Sequence, residues 1–200
     1  MSAPIFYFDF ASPNAYFAHR VLPGIESRTG AKFHYLPVLL GGLFKLTGNQ
    51  APMVAFAHIP AKLAYEHREI VRFVERHSLT KFVMNPHFPV NTLLAMRGAV
   101  AADGQGVLAR YVEAVFAAMW EQGADCSEVG ALAGVLDAAG LPGEALLTAA
   151  HDEAVKAGLM ANTQGAADHG AFGIPSFLVG EELYFGKDRL GEVERAIAEH

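Results

Sequence analysis

The sequence predicts an α/β fold in which a strand-bearing domain carries a large all-helical insertion. Strand, helix and strand patterns follow one another in roughly the first forty residues, a long central stretch has helical periodicity, and strand texture returns from Ile174. A strand–helix–strand unit of this size requires parallel strands joined by a right-handed crossover. We therefore expect a discontinuous domain of residues 1–45 and 160–200, with residues 46–159 as the helical insertion.

The N-terminal unit begins with a strand at residues 5–10, a β-branched and aromatic run typical of a buried strand. Ser12 and Pro13 interrupt it, and the apolar residues that follow lie largely on one helical stripe as far as Gly30. Residues 32–38 then predict a second strand. The next segment, 41–48, is apolar and rich in glycine, and we assign it no regular structure.

The remaining elements follow from periodicity and from glycine and proline breaks. Helices are predicted at 60–78, 90–103, 106–122, 127–139 and 143–157. Residues 175–179 and 183–185 then form a predicted hairpin, and a last helix is predicted at 188–199. Asp188 lies near the start of that helix, where the helix dipole favours an acidic side chain, and one interpretation of it is a plain helix cap.

Composition excludes several classes of function. With 52% hydrophobic residues, 18% charged residues and a formal net charge of -6, the chain can bury a large core but offers no broad cationic field. We therefore expect no nucleic-acid partner and no membrane partner. The N-terminus has no signal-peptide pattern and no segment is apolar enough to span a bilayer, so we expect a cytoplasmic protein.

Cysteine and metal chemistry are also restricted by the residues present. Cys126 is the one cysteine, which rules out an intramolecular disulfide and a CxxC redox pair. The nine histidines and the carboxylates show no spacing typical of metal ligands, and we expect no bound metal. Phe116 and Trp120, at helical spacing, are interpreted as core residues, with the wall of an aromatic-substrate pocket as the alternative.

Two short motifs carry the chemical interpretation. Ser12 stands at a favoured helix N-cap position with Pro13 at the first helical position, which alone is most often a plain cap. A helix N-terminus also stabilises an anion, including a thiolate. Ile174 and Pro175 precede a strand, where a cis peptide bond can expose backbone groups. Together the two motifs look like the two halves of a thioredoxin-fold active site.

These motifs resemble those of a known family. Residues 9–13 with Tyr16, residues 47–49, residues 172–175 and residues 186–190 resemble 2-hydroxychromene-2-carboxylate isomerases, in the order found in that family. Those enzymes belong with the kappa-class glutathione transferases and the larger DsbA-like group. The resemblance covers nearly the whole chain. It implies a thioredoxin-like domain with a helical insertion, glutathione as cofactor, a small aromatic substrate and a homodimer.

The resemblance also implies roles for individual residues. Ser12 matches the serine that hydrogen-bonds the glutathione sulfur, and Ile174, before a cis-Pro175, matches the residue whose backbone pairs with the cysteinyl unit. Asp188 matches the residue that holds the γ-glutamyl end, and three neighbours surround it: Gly186, Lys187 and Arg189. Three further residues match positions near the substrate or the glycyl carboxylate: Asn49, Lys62 and Asn91.

The physical chemistry of these residues agrees with the implied roles. A serine cannot form a disulfide, but it can donate a hydrogen bond to a thiolate and lower its pKa, so the thiol must come from a ligand. The implied reaction is reversible thiolate addition to a conjugated double bond, with rotation before elimination. Lys62, Lys187 and Arg189 can instead be ordinary surface charges. Two alternative functions stay open: a kappa-class-like transferase, and a non-catalytic protein that binds glutathione.

Overall fold

A computed structural model describes residues 3–199, and its sheet confirms the α/β class. The four strands are β1 (Ile5–Phe8), β2 (His34–Pro37), β3 (Ser176–Val179) and β4 (Glu182–Phe185). Their order in the sheet is β2-β1-β3-β4. Strand β1 is parallel to β2 and antiparallel to β3, and β3 and β4 form an antiparallel hairpin. The C-terminal hairpin therefore lies directly beside the N-terminal strand.

Most predicted helices are confirmed, with shifts of a few residues at their ends. The helices are α1 (Pro13–Thr29), α2 (Leu40–Thr47), α3 (Pro52–Ala55), α4 (Pro60–Arg76), α5 (Leu93–Gly104), α6 (Leu108–Glu121), α7 (Val129–Ala138), α8 (Gly143–Ala149), α9 (Glu153–Asp168) and α10 (Leu190–Glu199). A short 3-10 turn, Lys187–Arg189, precedes α10. No helix within residues 3–199 is both long and apolar enough to cross a bilayer.

Two local predictions were wrong. The helix expected at 143–157 is divided into α8 and α9, because Asp152 adopts an extended conformation and starts a new helix. The glycine-rich segment after β2 forms helix α2. Gly42 suits this helix because a Cβ there would lie 3.3 Å from the Thr163 Cγ2 of α9, so glycine lets the two helices pack closely.

The division of the chain into two domains stays a prediction. Its boundary at residue 160 falls inside α9, which is continuous and packs against both α2 and β2. Helix α9 also packs against α5 of the helical block. Helix α9 therefore connects the sheet to the helices of the expected insertion. Residues 1, 2 and 200 of the expected domain lie outside the described residues.

An aromatic core joins the first strand to the helical block. Phe8 and Phe10 are fully buried, and both rings lie near Phe116 of α6, with centroids 5.9 Å and 4.8 Å away. The Trp120 indole is fully buried and its Nε1 donates a hydrogen bond to the Phe10 carbonyl at 2.9 Å. The core interpretation of Phe116 and Trp120 is therefore confirmed, and α6 holds the end of β1 in place.

Candidate functional site

Ser12 caps helix α1 and at the same time reaches the C-terminal part of the chain. Its backbone is extended and its Oγ accepts a hydrogen bond from the Ala15 N–H at 3.2 Å, as expected for an N-cap. The same hydroxyl donates to the Ile174 carbonyl at 3.1 Å. Ser12 is only 5% exposed. One buried hydroxyl thus links the two motifs, which are 162 residues apart in sequence.

The loop opposite Ser12 contains a cis peptide bond between Ile174 and Pro175. The Pro175 carbonyl accepts a hydrogen bond from the Gly186 N–H at 2.9 Å, which fastens the loop to the end of β4. The Ser176 hydroxyl donates to the Gly173 carbonyl at 2.8 Å and closes the loop from within. Among residues 3–199, the Ile174 N–H has no acceptor within hydrogen-bond distance. The residue whose carbonyl Ser12 contacts therefore also has a backbone donor that is unpaired within the described residues.

The turn that follows β4 places two opposite charges together. Gly186 has φ +95°, a backbone conformation that favours glycine. Lys187 is only 5% exposed, and its Nζ lies 2.6 Å from Asp188 Oδ1 and 4.9 Å from the centroid of the Phe73 ring. Lys187 is therefore not a surface charge, which was one reading of the sequence. Arg189 is exposed and pairs with Glu192 on α10 at 3.0 Å.

Asp188 is largely exposed, and within the described part of the chain its carboxylate accepts a hydrogen bond from Lys187 alone. It makes no bond to a backbone N–H of the last helix, so the geometry does not support the helix-cap reading. One carboxylate oxygen, Oδ2, is left for a further donor. This free oxygen and the Ile174 N–H are the polar groups that a ligand of this loop could use.

Three other residues implied by the resemblance lie in different positions. The Asn49 Nδ2 donates to the Phe172 carbonyl at 2.7 Å, so Asn49 borders the cis-proline loop. Asn91 is exposed, and its Oδ1 accepts from the Leu93 N–H at the start of α5. The Lys62 Nζ lies 3.7 Å above the Phe56 ring, and no hydrogen bond or ion pair joins it to Ser12 or to the cis-proline loop in residues 3–199. Only Asn49 is thus tied to the loop.

Asp9 has a structural role that was not predicted from the sequence. Its carboxylate is buried and accepts three hydrogen bonds: from the Ala11 N–H at 2.9 Å, the Leu40 N–H at 2.7 Å and the Thr92 hydroxyl at 2.6 Å. These donors come from the β1–α1 loop, the first turn of α2 and the start of α5. Asp9 therefore holds the loop that leads to Ser12 against the starts of α2 and α5.

Burial raises the pKa of Asp9, and the bonds from the backbone and from Thr92 oppose that rise. A buried carboxylate is tolerated when its oxygens are fully hydrogen-bonded, as these are. The signal was present in the sequence, because one acidic residue stands among the aromatic residues of 5–10. The positions of its partners could not be read from the sequence, since Thr92 is 83 residues away.

Cys126 lies outside this site. It is fully buried in the connection between α6 and α7, and burial raises the pKa of its thiol to about 12. A thiol in that state is a poor nucleophile.

We expect Cys126→Ala to retain full catalytic activity and to have no effect on thiol–disulfide exchange, which should be absent in both proteins. Steady-state kinetics and an insulin-reduction assay measure the two quantities; an inactive variant would assign the reacting thiol to the protein.

The comparison with protein families decides the classification. A family model described as a DSBA-like thioredoxin domain matches residues 5–198. The chain belongs to the DsbA-like family. The match confirms the thioredoxin-like fold with many helices. In this DsbA-like protein, Ser12 stands at the start of the first helix, opposite the cis-proline loop.

Individual relatives of this DsbA-like protein bear isomerase and transferase names. A 2-hydroxychromene-2-carboxylate isomerase from Sphingobium xenophagum is 27% identical over 191 residues, covering 94% of each chain. Glutathione S-transferase kappa 1 from Rattus norvegicus is 27% identical, covering 92% of this chain and 85% of its own. A solved structure of a 2-hydroxychromene-2-carboxylate isomerase has a TM-score of 0.85 at 25% identity, covering 99% of this chain and 95% of its own. The family resemblance is confirmed, and these relatives support an enzyme of the isomerase type.

Proposed function

We propose that this protein is a glutathione-dependent isomerase that acts on a conjugated aromatic keto acid. The proposed reaction converts 2-hydroxychromene-2-carboxylate, or a related compound, to trans-o-hydroxybenzylidenepyruvate. The observation that carries the proposal is the position of Ser12 at a helix N-terminus, in contact with the residue before a cis-proline. A serine there can stabilise a thiolate but cannot supply one, so the proposal requires a thiol-bearing ligand.

The polar groups around Ser12 fit a glutathione-like peptide. The Ile174 N–H can donate to a peptide carbonyl, which would extend the loop in the manner of strand pairing. The exposed Asp188 carboxylate has one oxygen left over from Lys187 and can accept from an ammonium group. The glutathione S-transferase kappa 1 among the relatives agrees with glutathione as the ligand.

Ser12 controls protonation of the bound thiol in this proposal. When bound, glutathione supplies the nucleophile whose reversible addition permits rotation about a conjugated carbon–carbon bond. The Ser12 hydroxyl, which donates to the Ile174 carbonyl in the free protein, turns toward the sulfur and donates to it instead. The Ala15 N–H can keep its bond to Oγ during this change, which makes the hydroxyl a stronger donor. Ser12 thereby lowers the pKa of the thiol.

Calorimetric titration with glutathione and an isomerase assay test the proposal together. We expect glutathione to bind one site per chain, and we expect 2-hydroxychromene-2-carboxylate to isomerise only when glutathione is present. Glutathione should be recovered unchanged, because the reaction does not consume it. Turnover at the same rate without any thiol would contradict the proposal. A homodimer and a cytoplasmic location stay predictions.

A conjugating enzyme is the second candidate, favoured by the similarity to the kappa 1 transferase. The same thiolate would then add to an electrophile and leave with the product. The two functions differ in the fate of glutathione, which a transferase consumes in equal amount to its substrate. An assay with 1-chloro-2,4-dinitrobenzene that shows stoichiometric loss of glutathione, together with no isomerase activity, would favour the transferase.

Asp188→Asn should weaken glutathione binding by about tenfold or more, because a charged partner of the ammonium group is lost. The structure adds a second effect, since Lys187 is buried and Asp188 neutralises it. We therefore expect a lower stability of the free protein as well, by about 1–2 kcal/mol. Calorimetry with glutathione and thermal unfolding measure the two effects.

A second substitution separates the two roles of Asp188. Lys187→Met removes the buried cation, and its side chain can pack on the Phe73 ring. In the double variant with Asp188→Asn, stability should match that of Lys187→Met alone, whereas glutathione binding should be weaker than in Lys187→Met. Equal binding by the single and double variants would show that Asp188 serves only to neutralise Lys187.

A further inference from the structure

A cavity of about 650 Å³ lies between α2, α5 and α9, and Ser12 is not among the residues that line it. Leu159 and Thr163 of α9 are the buried residues of its lining, and Leu46 and Met160 are exposed at its edge. None of its lining residues belongs to the cis-proline loop or to the turn after β4. Its volume is in the range of small-molecule sites, about 300–1,000 Å³.

The hydroxyl of Thr163, inside this cavity, is not available to a ligand. The Thr163 Oγ1 accepts a hydrogen bond from the Leu39 N–H at 3.0 Å and donates to the Leu159 carbonyl at 2.7 Å. The hydroxyl is therefore used within the protein. At the edge, Leu46 is 50% exposed and Met160 is 73% exposed, so two large apolar side chains face solvent. Water would leave these surfaces at a gain in free energy if an apolar molecule covered them.

Three cations surround this apolar interior, one from each helix: Lys45, Arg97 and Lys156. No aspartate or glutamate lines the cavity, although acidic residues exceed basic ones in the chain by 21 to 15. Lys156 pairs with Glu153, whose side chain is 90% exposed. Lys45 and Arg97 have no carboxylate within 4.0 Å among residues 3–199. Two cations are thus available to an anionic group at the rim.

We propose that this cavity binds an organic acid with an apolar ring body and a single carboxylate. The ring body covers Leu46 and Met160, and the flexible thioether of Met160 adapts to its shape. The carboxylate lies at the rim, where Arg97 and Lys45 donate charge-assisted hydrogen bonds. The site does not depend on glutathione, and it is independent of the function proposed for Ser12.

Calorimetric titration of the full chain with 2-naphthoate tests this site, with the uncharged 2-naphthamide as the comparison ligand. We expect one equivalent of 2-naphthoate to bind at this cavity, and 2-naphthamide to bind at least about tenfold more weakly because it lacks the charge. Arg97→Gln should weaken 2-naphthoate binding by about tenfold. Lys32→Gln, a matched change at an exposed lysine remote from the cavity lining, should leave binding unchanged.

A further variant distinguishes this cavity from the Ser12 site. Leu46→Glu places a carboxylate at an exposed position of the wall and should abolish this equivalent of binding, without loss of thermal stability or glutathione affinity. Ser12→Ala should retain it. Equal affinity for the two naphthalene ligands, or unchanged binding in Arg97→Gln and Leu46→Glu, would overturn the proposal. A third result would also overturn it. If the wild-type protein is a dimer that does not bind 2-naphthoate, and Leu46→Glu converts that dimer to a monomer, this face is an interface between copies of the chain.

Discussion

Ser12→Ala should reduce the glutathione-dependent rate at neutral pH by about ten- to hundredfold. The variant loses one hydrogen bond to a charged group, which is worth roughly 1.5–3 kcal/mol. Because one pKa unit corresponds to about 1.4 kcal/mol, the pKa of the bound thiol should rise by about one to two units. The acidic limb of the pH–rate profile should move to higher pH by the same amount. Ultraviolet absorbance of the thiolate measures that pKa directly.

Two control variants separate this effect from the structural role of Ser12. Ser12→Thr keeps a hydroxyl at the cap and should retain the pH profile of the wild type. Ser176→Ala removes another buried hydroxyl that donates to a carbonyl of the same loop, and it should leave the thiol pKa unchanged. Ser12→Ala should also lose about 1 kcal/mol of stability as a cap. An unchanged pH–rate profile in Ser12→Ala would reduce Ser12 to that cap.

Asp9→Asn should lower the free energy of unfolding by about 3 kcal/mol. The carboxylate oxygens accept three hydrogen bonds in a buried position, and an asparagine amide would direct its own N–H groups at one of those donors. For a chain of this size, each kcal/mol corresponds to about 2–4 °C, so the midpoint of thermal unfolding should fall by about 6–12 °C. Denaturant and thermal unfolding measure the loss.

Thr92→Val provides the matched comparison, because it removes one donor and keeps the shape of the side chain. It should cost about 1–2 kcal/mol, less than the change at Asp9. In a double-mutant cycle, the two losses should add up to more than the loss in the double variant, since the Thr92 hydroxyl already lacks its acceptor in Asp9→Asn. Strict additivity would mean that the hydrogen bond contributes nothing to stability.

Local patterns were enough to predict much of the fold and the two main motifs. Aromatic and β-branched runs indicated the strands, and the Ser12-Pro13 pair indicated where α1 begins, because caps and first-turn prolines depend on neighbouring residues. The errors arose where local patterns are weak. Glycines in α2 hid a helix that is stabilised by packing on α9, and a three-residue turn divided a helical pattern into α8 and α9.

The sequence by itself determined the chemical inventory: one cysteine, a serine at a helix start, and a proline before a strand. Only the tertiary structure decided which groups meet. It paired the Ser12 hydroxyl with the Ile174 carbonyl, buried Lys187 beside the Phe73 ring, and brought the Leu40 N–H and the Thr92 hydroxyl to Asp9. Burial of apolar surface around the sheet brings these residues together. Because this driving force is nondirectional, the distances between the residues cannot be read from local patterns along the chain.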